Sequence, residues 1–493
     1  MAQDASRIPV IIGAGEVNDR PESLEVAMDS VALMAQAARR ADADAGGGAL
    51  AQADYMAIVP QISFRDLDER ELLPQTLGLA GVRLDPKIKP HGNAPLLLLS
   101  NVANAIGRGE VSLGLVVGGE ALRTAARRVA GRGDTVINGG SKAYAKGLQQ
   151  RYGLYAPSDV YPLYENATRA LWGQSLAQGQ AETGVIWSNL SQVAATSEGA
   201  WLKQPRTADE IITVTMDNRP IAFPYTKLTV ANSSVNQGAA LLVASLAKAR
   251  ELGIPEERLI YIGAGAGASE ADDLFARESF SATAAMRATL AQVLVRNGLS
   301  AKAVDAVDLY SCFPSVPKMA RRLLDMPAER PLTVHGGLTF GGGPLANYMM
   351  HAACAMVRQL RGGAHAGLLY GNGGFCTDHH ALVLADHPLP GVAFPQDHSC
   401  QAEADAMRGA IPAISDAYEG PVTVETYTVL YGRGGEPDHG VVIARDPDGN
   451  RVLALVPGDD AATLAFLTDG RAEPVGAAGH TTRAGEVLHW QRG

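Results

Sequence analysis

A chain of 493 residues is too long for one hydrophobic core, and 46% hydrophobic residues with a mean hydropathy near zero mark a globular protein. The formal net charge of −10 offers no footprint for nucleic acid. No apolar run reaches the roughly 20 residues that cross a bilayer. Four cysteines, none in CxxC spacing, exclude a disulfide framework and any metal site of that type. The start, "MAQDASRIPVIIGAG", lacks a basic n-region, so a reduced, cytoplasmic protein is expected.

In chain order, "IPVIIGAGEV" is a short β-branched run that ends in glycines and reads as a buried strand. "SLEVAMDSVALMAQAARRA" has helical spacing, with Leu24, Val26, Ala27, Val31, Met34 and Ala38 on one face. "MAIVPQIS" is a second strand, and "PLLLLSNVANAIGRGE" a helix opened by Pro95. "SLGLVVGGEA" is apolar on nearly every residue, as a strand covered on both faces must be. Strand and helix alternate, which defines an α/β architecture.

The second half repeats the order. "ERLIYIGAGAGASE" is again a strand ending in glycines, "SATAAMRATLAQVLVRNGLS" a helix and "AVDLYSCFPS" a strand. "GGGPLANYMMHAACAMVRQLRGG" starts a helix behind Gly and Pro, and "AGLLYGNGG" echoes "LGLVVGGEA". G-x-x-P, helix, apolar strand and Gly-Gly thus occur at Gly92 to Gly119 and again at Gly341 to Gly374, the mark of an internal duplication. The expected domains are 1–260, with a polar insertion at about 122–220, and 261–388. A Pro-rich linker and a helix from about Cys400 to Tyr418 fill 389–418. Residues 419–493 hold short strands, an Asp448-Gly449 hairpin turn and one helix, a small OB-like β-barrel.

Duplicated halves, the polar insertion after the fourth strand and the Gly-rich turns resemble the thiolase superfamily over roughly residues 7–386. "DLYSCFPS" resembles the HDCF segment of the SCP2-thiolase branch, and "GGLTFGGGPL" its GGLxxxGHPL segment. With the appended barrel, the resemblance is to thiolase-like proteins of type 1, usually labelled acetyl-CoA acetyltransferases. It implies a layered αβαβα thiolase fold and acyl-CoA as the ligand, with coenzyme A present only as part of the substrate. The reactive residues do not carry over. The nucleophilic Cys falls on Gly92, the His of GHP on Gly343, the second Cys on about Tyr370, and the His of HDCF on Tyr310. Without Cys there is no thiolate to take an acyl group, and without His no base to activate it.

Candidate residues follow from chemistry that remains. Tyr310 is an acid or base in place of the missing His, or a buried structural tyrosine. Cys376, with His379 and His380 beside it, is a possible thiolate or a buried hydrophobe. Cys312 reads as core. His335 is a possible base or a structural histidine, and Asn347 a possible thioester contact beside Tyr348. Asn93, Asn372 and Gly373 lie at Gly turns that can present amides to an oxyanion. Gly342 and Pro344 are expected to wall a pantetheine pocket. Arg123 and Arg127 can meet CoA phosphates or simply face solvent. No metal site is expected. Three readings remain: an acyl-CoA C–C bond enzyme without a covalent thiol, a non-catalytic acyl-CoA or lipid-binding protein, and an acyltransferase using Cys376. The oligomeric state stays open between monomer and homodimer.

Overall fold

A computed structural model describes residues 4–79, 81–131 and 147–493. Nine strands form one sheet, and their order shows the duplication directly. In the first half these are β1 (Pro9–Asn18), β2 (Tyr55–Ile58), the short β3 (Arg83–Leu84) and β4 (Leu113–Ala121), followed by β7 (Asn236–Ser245). In the second half they are β8 (Ile260–Ser269), β9 (Ala306–Leu309), β10 (Ala366–Gly373) and β11 (Asp378–Ala385). The order β3-β2-β4-β7-β1-β8-β11-β10-β9 reads outward identically from the β1–β8 junction once the edge strand β3 is set aside. There Val10 pairs with Tyr261 and Ile11 with Ile260.

Each half sends one apolar helix inward. The helix Ala94–Gly107 is buried along nearly its whole length, as is Tyr348–Arg361 through Leu360. A helix apolar on every side has no solvent face to offer and must sit between layers. The helices Ser30–Asp44 and Ala284–Arg296 instead cover the outer faces of their halves. Two expected boundaries move. The first helix starts at Ser30, capped by Asp29, so Leu24 and Val26 lie outside it and Val26 is exposed. The helix behind Pro344 begins at Tyr348, after a single 3₁₀ turn at Leu345–Asn347.

The C-terminal strands are β12 (Gly420–Tyr431), β13 (Pro437–Arg445), β14 (Arg451–Val456), β15 (Ala478–Ala484) and β16 (Val487–Arg492). They close a five-stranded barrel in the order β12-β13-β14-β16-β15-β12, with β14 and β16 parallel and the helix Ala461–Thr468 between β14 and β15. That is the connectivity of an OB barrel. The linker helix is shorter than expected, Gln401–Met407, because Gly409 and Pro412 follow it closely. The linker itself lies along the body: Asn104 and Gln396 exchange hydrogen bonds, and so do Gly267 and its neighbours His398 and Cys400.

The barrel is fastened to the body by backbone as well as side chains. A hairpin of the insertion, β5 (Pro220–Ala222) and β6 (Tyr225–Thr226), extends the barrel's sheet through Ala222 opposite Leu430. Phe223 N–H donates to the Val429 carbonyl at 2.8 Å, and Thr426 Oγ1 to the Leu163 carbonyl at 2.6 Å. Arg451 is fully buried; it forks onto Glu425 and also donates to the carbonyls of Phe275 at 2.6 Å and Arg277 at 2.9 Å. Removing it strands two buried carbonyls and leaves Glu425 with Arg445 as its remaining partner. Arg451→Ala should therefore lower stability by about 2–5 kcal/mol, read by denaturant unfolding. A change below about 1 kcal/mol would show that the contact is not a structural fastening.

Candidate functional site

The position where the resemblance puts a nucleophile is occupied by another residue's ring. A Cβ on Gly92 would lie 2.2 Å from the Tyr310 hydroxyl, 2.4 Å from its Cζ and 2.3 Å from the Asn372 carbonyl oxygen. Only glycine fits there. Tyr310 leaves β9 directly, with its N–H on the Tyr370 carbonyl, and packs its ring edge-on to Tyr348 at 5.9 Å. Its hydroxyl makes no hydrogen bond among the described residues. Burial, with a smaller contribution from Cys312, drives its pKa well above the usual tyrosine value, so the phenol is a proton donor at neutral pH.

His91, next to Gly92, was not picked out from the sequence, since a lone His before a glycine carries no signal. Its Nδ1 donates to Asp378 Oδ2 at 2.5 Å, and Ser269 donates to the other carboxylate oxygen at 2.6 Å. Burial pushes the Asp378 carboxyl up, but the hydrogen bonds from His91 and Ser269 outweigh it and hold it at about 2. The pair spans from one half to the other, and the imidazole keeps about a fifth of its surface in solvent. Fixing Nδ1 as donor leaves Nε2 as the basic nitrogen.

Asn372 and Asn347 lie within the core with unsatisfied amide atoms. Asn372 donates to the Tyr161 hydroxyl at 2.8 Å, while its Oδ1 has no partner. Both amide atoms of Asn347 are unpartnered, and its Oδ1 sits over the bare backbone of Gly118. Buried amides of this kind need water or a ligand. Asn93 is buried beside Gly373, which has no room for a side chain because His91 and Asn93 already fill that space.

Several expected roles do not survive the geometry. The Gly-rich turn is packed tightly against protein. Residues 336–344 are all buried, and a Cβ would strike Ala194 from Gly336, Leu190 from Gly337 and Gln237 from Gly342. Gly343 faces the Asn232 and Leu338 carbonyls, with Pro344 buried behind it. Tyr370 points to the opposite face of β10, where its hydroxyl meets His379 Nδ1 at 2.7 Å. Side chains alternate along a strand, so Gly371 is the residue that faces Asn93 and the Gly92 carbonyl. His335 is fully buried against Glu16 and His351, with Tyr348 between it and Tyr310, and burial drives its pKa down to about 3. It is no base for Tyr310.

Cys376 does not pair with a histidine. It is buried at φ +60°, its N–H donates to Tyr161, and its carbonyl accepts from Arg277. His379 is taken by Tyr370 and His380 by Ser100. Burial raises the thiols of Cys376, Cys354 and Cys400, and pushes Cys312 up to about 12. Arg123 lies 6.0 Å from the Trp201 ring centroid, on the helix Leu122–Gly131, and Arg127 is exposed further along it. Arg132 to Asp134, the end of that basic stretch, fall outside the described residues.

Comparison with solved structures assigns the fold. Over 78% of this chain and 100% of the other, it matches an Ltp2–ChsH2(DUF35) aldolase at 19% identity and TM-score 0.62. The human mitochondrial 3-ketoacyl-CoA thiolase in complex with CoA matches 77% of this chain and 98% of its own at 15% identity and TM-score 0.55. The fold is that of the thiolases. A monomeric SCP2-thiolase-like protein type 1 from Mycobacterium smegmatis aligns over 99% of both chains at 29% identity and TM-score 0.84. Residues 401–486 match the family described as the thiolase-like protein type 1 additional C-terminal domain. The chain is a thiolase-like protein that carries this additional domain. No curated protein sequence matches it. No helix among the described residues is long and apolar enough to cross a membrane.

Two outcomes test this geometry. Gly92→Ala should cost about 1–3 kcal/mol by overpacking, and part of that loss should be recovered in a Tyr310→Leu background. Additive effects would mean the two positions do not touch. The four cysteines should resist alkylation at pH 8 in native protein and react in denaturant, because raised thiol pKa values leave almost no thiolate there. Rapid labelling of Cys376 in the native state would return it to candidacy.

Proposed function

We propose that this chain acts on acyl-CoA thioesters at a carbon–carbon bond without a covalent thiol intermediate. The observation that carries this is the unpartnered Tyr310 hydroxyl standing in the space in front of Gly92. A phenol held protonated can donate to a developing enolate, and His91, oriented by Asp378, can accept the proton of a β-hydroxyl group. For a β-hydroxyacyl-CoA the steps balance. The base takes the hydroxyl proton, the Cα–Cβ bond breaks to give a carbonyl compound and the thioester enolate, and the enolate is protonated to acyl-CoA. The unsatisfied Asn347 and Asn372 amides are the groups we assign to the thioester and its pantetheine arm. Support by likeness comes from an aldolase and from a thiolase with CoA bound, both of the same fold. The Mycobacterium smegmatis protein is monomeric, and we propose the same state here.

A second reading, an acyl-CoA-binding protein without chemistry, is favoured by the small exposure of Tyr310, 6%, and by the dense packing of the Gly-rich turn. One variant separates the two. On a panel of β-hydroxyacyl-CoA thioesters, Tyr310→Phe should lower turnover by roughly 10²–10⁴ while thioester binding by calorimetry holds within about tenfold. Binding without turnover by the wild type selects the second reading. Acetoacetyl-CoA thiolysis at thiolase rates would contradict both.

A further inference from the structure

Glu16, His335 and His351 meet at one point from three separate elements. Glu16 lies on β1, His335 opens the Gly-rich turn, and His351 is one turn into the inner helix Tyr348–Arg361. His351 Nδ1 donates to Glu16 Oε1 at 2.7 Å. His335 Nδ1 stands 3.8 Å from the same oxygen, too far for a hydrogen bond. The ligating atoms of all three lie within 4.8 Å of one another. Both imidazoles are fully buried, and neither Nε2 has a partner.

We propose that Glu16, His335 and His351 bind one divalent transition-metal ion of the zinc class. Two imidazole nitrogens and one carboxylate oxygen are the donors that such borderline ions take. Metal–ligand bonds of about 2.0–2.2 Å put neighbouring ligand atoms roughly 3–3.5 Å apart. The observed 2.7 and 3.8 Å to Glu16 bracket that spacing, and the two imidazole donors lie within 4.8 Å of each other. The second carboxylate oxygen, Oε2, is held by Arg358, the kind of outer contact that orients a ligating carboxylate. Ser197 Oγ, 3.3 Å from His335 Nδ1, is the nearest further oxygen. On loading, the His351 proton moves from Nδ1 to the ring's own Nε2, so that neutral imidazole binds the ion, and Glu16 exchanges its hydrogen bond for the metal bond. The ion then ties the first strand of one half to the turn and inner helix of the other. It requires no redox step and is independent of the reaction proposed at Tyr310.

The test uses the full chain, stripped with EDTA and titrated with zinc. Calorimetry with metal analysis should give one ion per chain, and X-ray absorption of the loaded protein should show two imidazole nitrogens. His335→Ala and His351→Ala should each weaken binding at least roughly tenfold. The exposed histidines His365 and His387, both on Asp386, are the obvious surface competitor, and changing both to Ala should leave the stoichiometry intact. Uptake below one ion per chain, or uptake lost with the surface pair, overturns the site. If either buried variant fails to fold, the absorption spectrum of the wild type decides, and fewer than two imidazoles overturns the site equally.

Discussion

The contact between the Tyr310 ring and the bare Cα of Gly92 excludes any side chain at position 92. One side chain occupies space that another would need, so a nucleophile at position 92 and a tyrosine at 310 exclude each other. Under the proposed function, the glycine at the position the resemblance gives to a thiol is not a lone change. It is matched by a phenol that fills the space, by a carboxylate-held imidazole one residue away, and by thiols elsewhere that burial keeps protonated. On the function we propose, hydrogen bonding and proton transfer take the place of chemistry through an acyl-cysteine.

The surrounding fold explains how these groups are brought together. Two halves of the same strand order meet at β1 and β8, and each places a helix N-terminus and a Gly turn near the junction of the inner layer. His91 comes from the first half and Asp378 from the second, so the dyad exists only when the halves are docked. The barrel adds a clamp on the outside. Its strand β12 accepts the insertion's hairpin, and Arg451 reaches into the body, which makes the additional domain part of one folded unit. The glycines of residues 336–343 serve this compactness. They let the turn pass against Leu190, Ala194 and Gln237 where any side chain would clash.

Much of this was legible in the sequence, for physical reasons. Apolar runs covered on both faces, Gly-Pro helix starts and the echo between halves are local patterns that mark the α/β class and the duplication, and short strands around Asp448-Gly449 mark the barrel. Helix ends were read less well: Val26 and the residues around it fit a helical face but start before the Asp29 cap. The site was legible only where a residue's role depends on its own position, as at Tyr310 and Gly92. The resemblance puts the second Cys at about Tyr370, but that side chain turns to His379 and its neighbour Gly371 faces Gly92, because a one-residue offset on a strand reverses the face. His91 and Asp378, like Glu16 and the pair His335 and His351, lie hundreds of positions apart, and no spacing rule joins them.

The central claim is that the Tyr310 hydroxyl meets the reacting end of an acyl-CoA. A crystal structure with a non-hydrolysable CoA thioester analogue tests it most directly. The account predicts the carbonyl oxygen of the analogue within about 3.2 Å of the Tyr310 hydroxyl, with His91 on the β-carbon side. An analogue bound with its acyl end elsewhere, and the Tyr310 hydroxyl still without a partner, would contradict it.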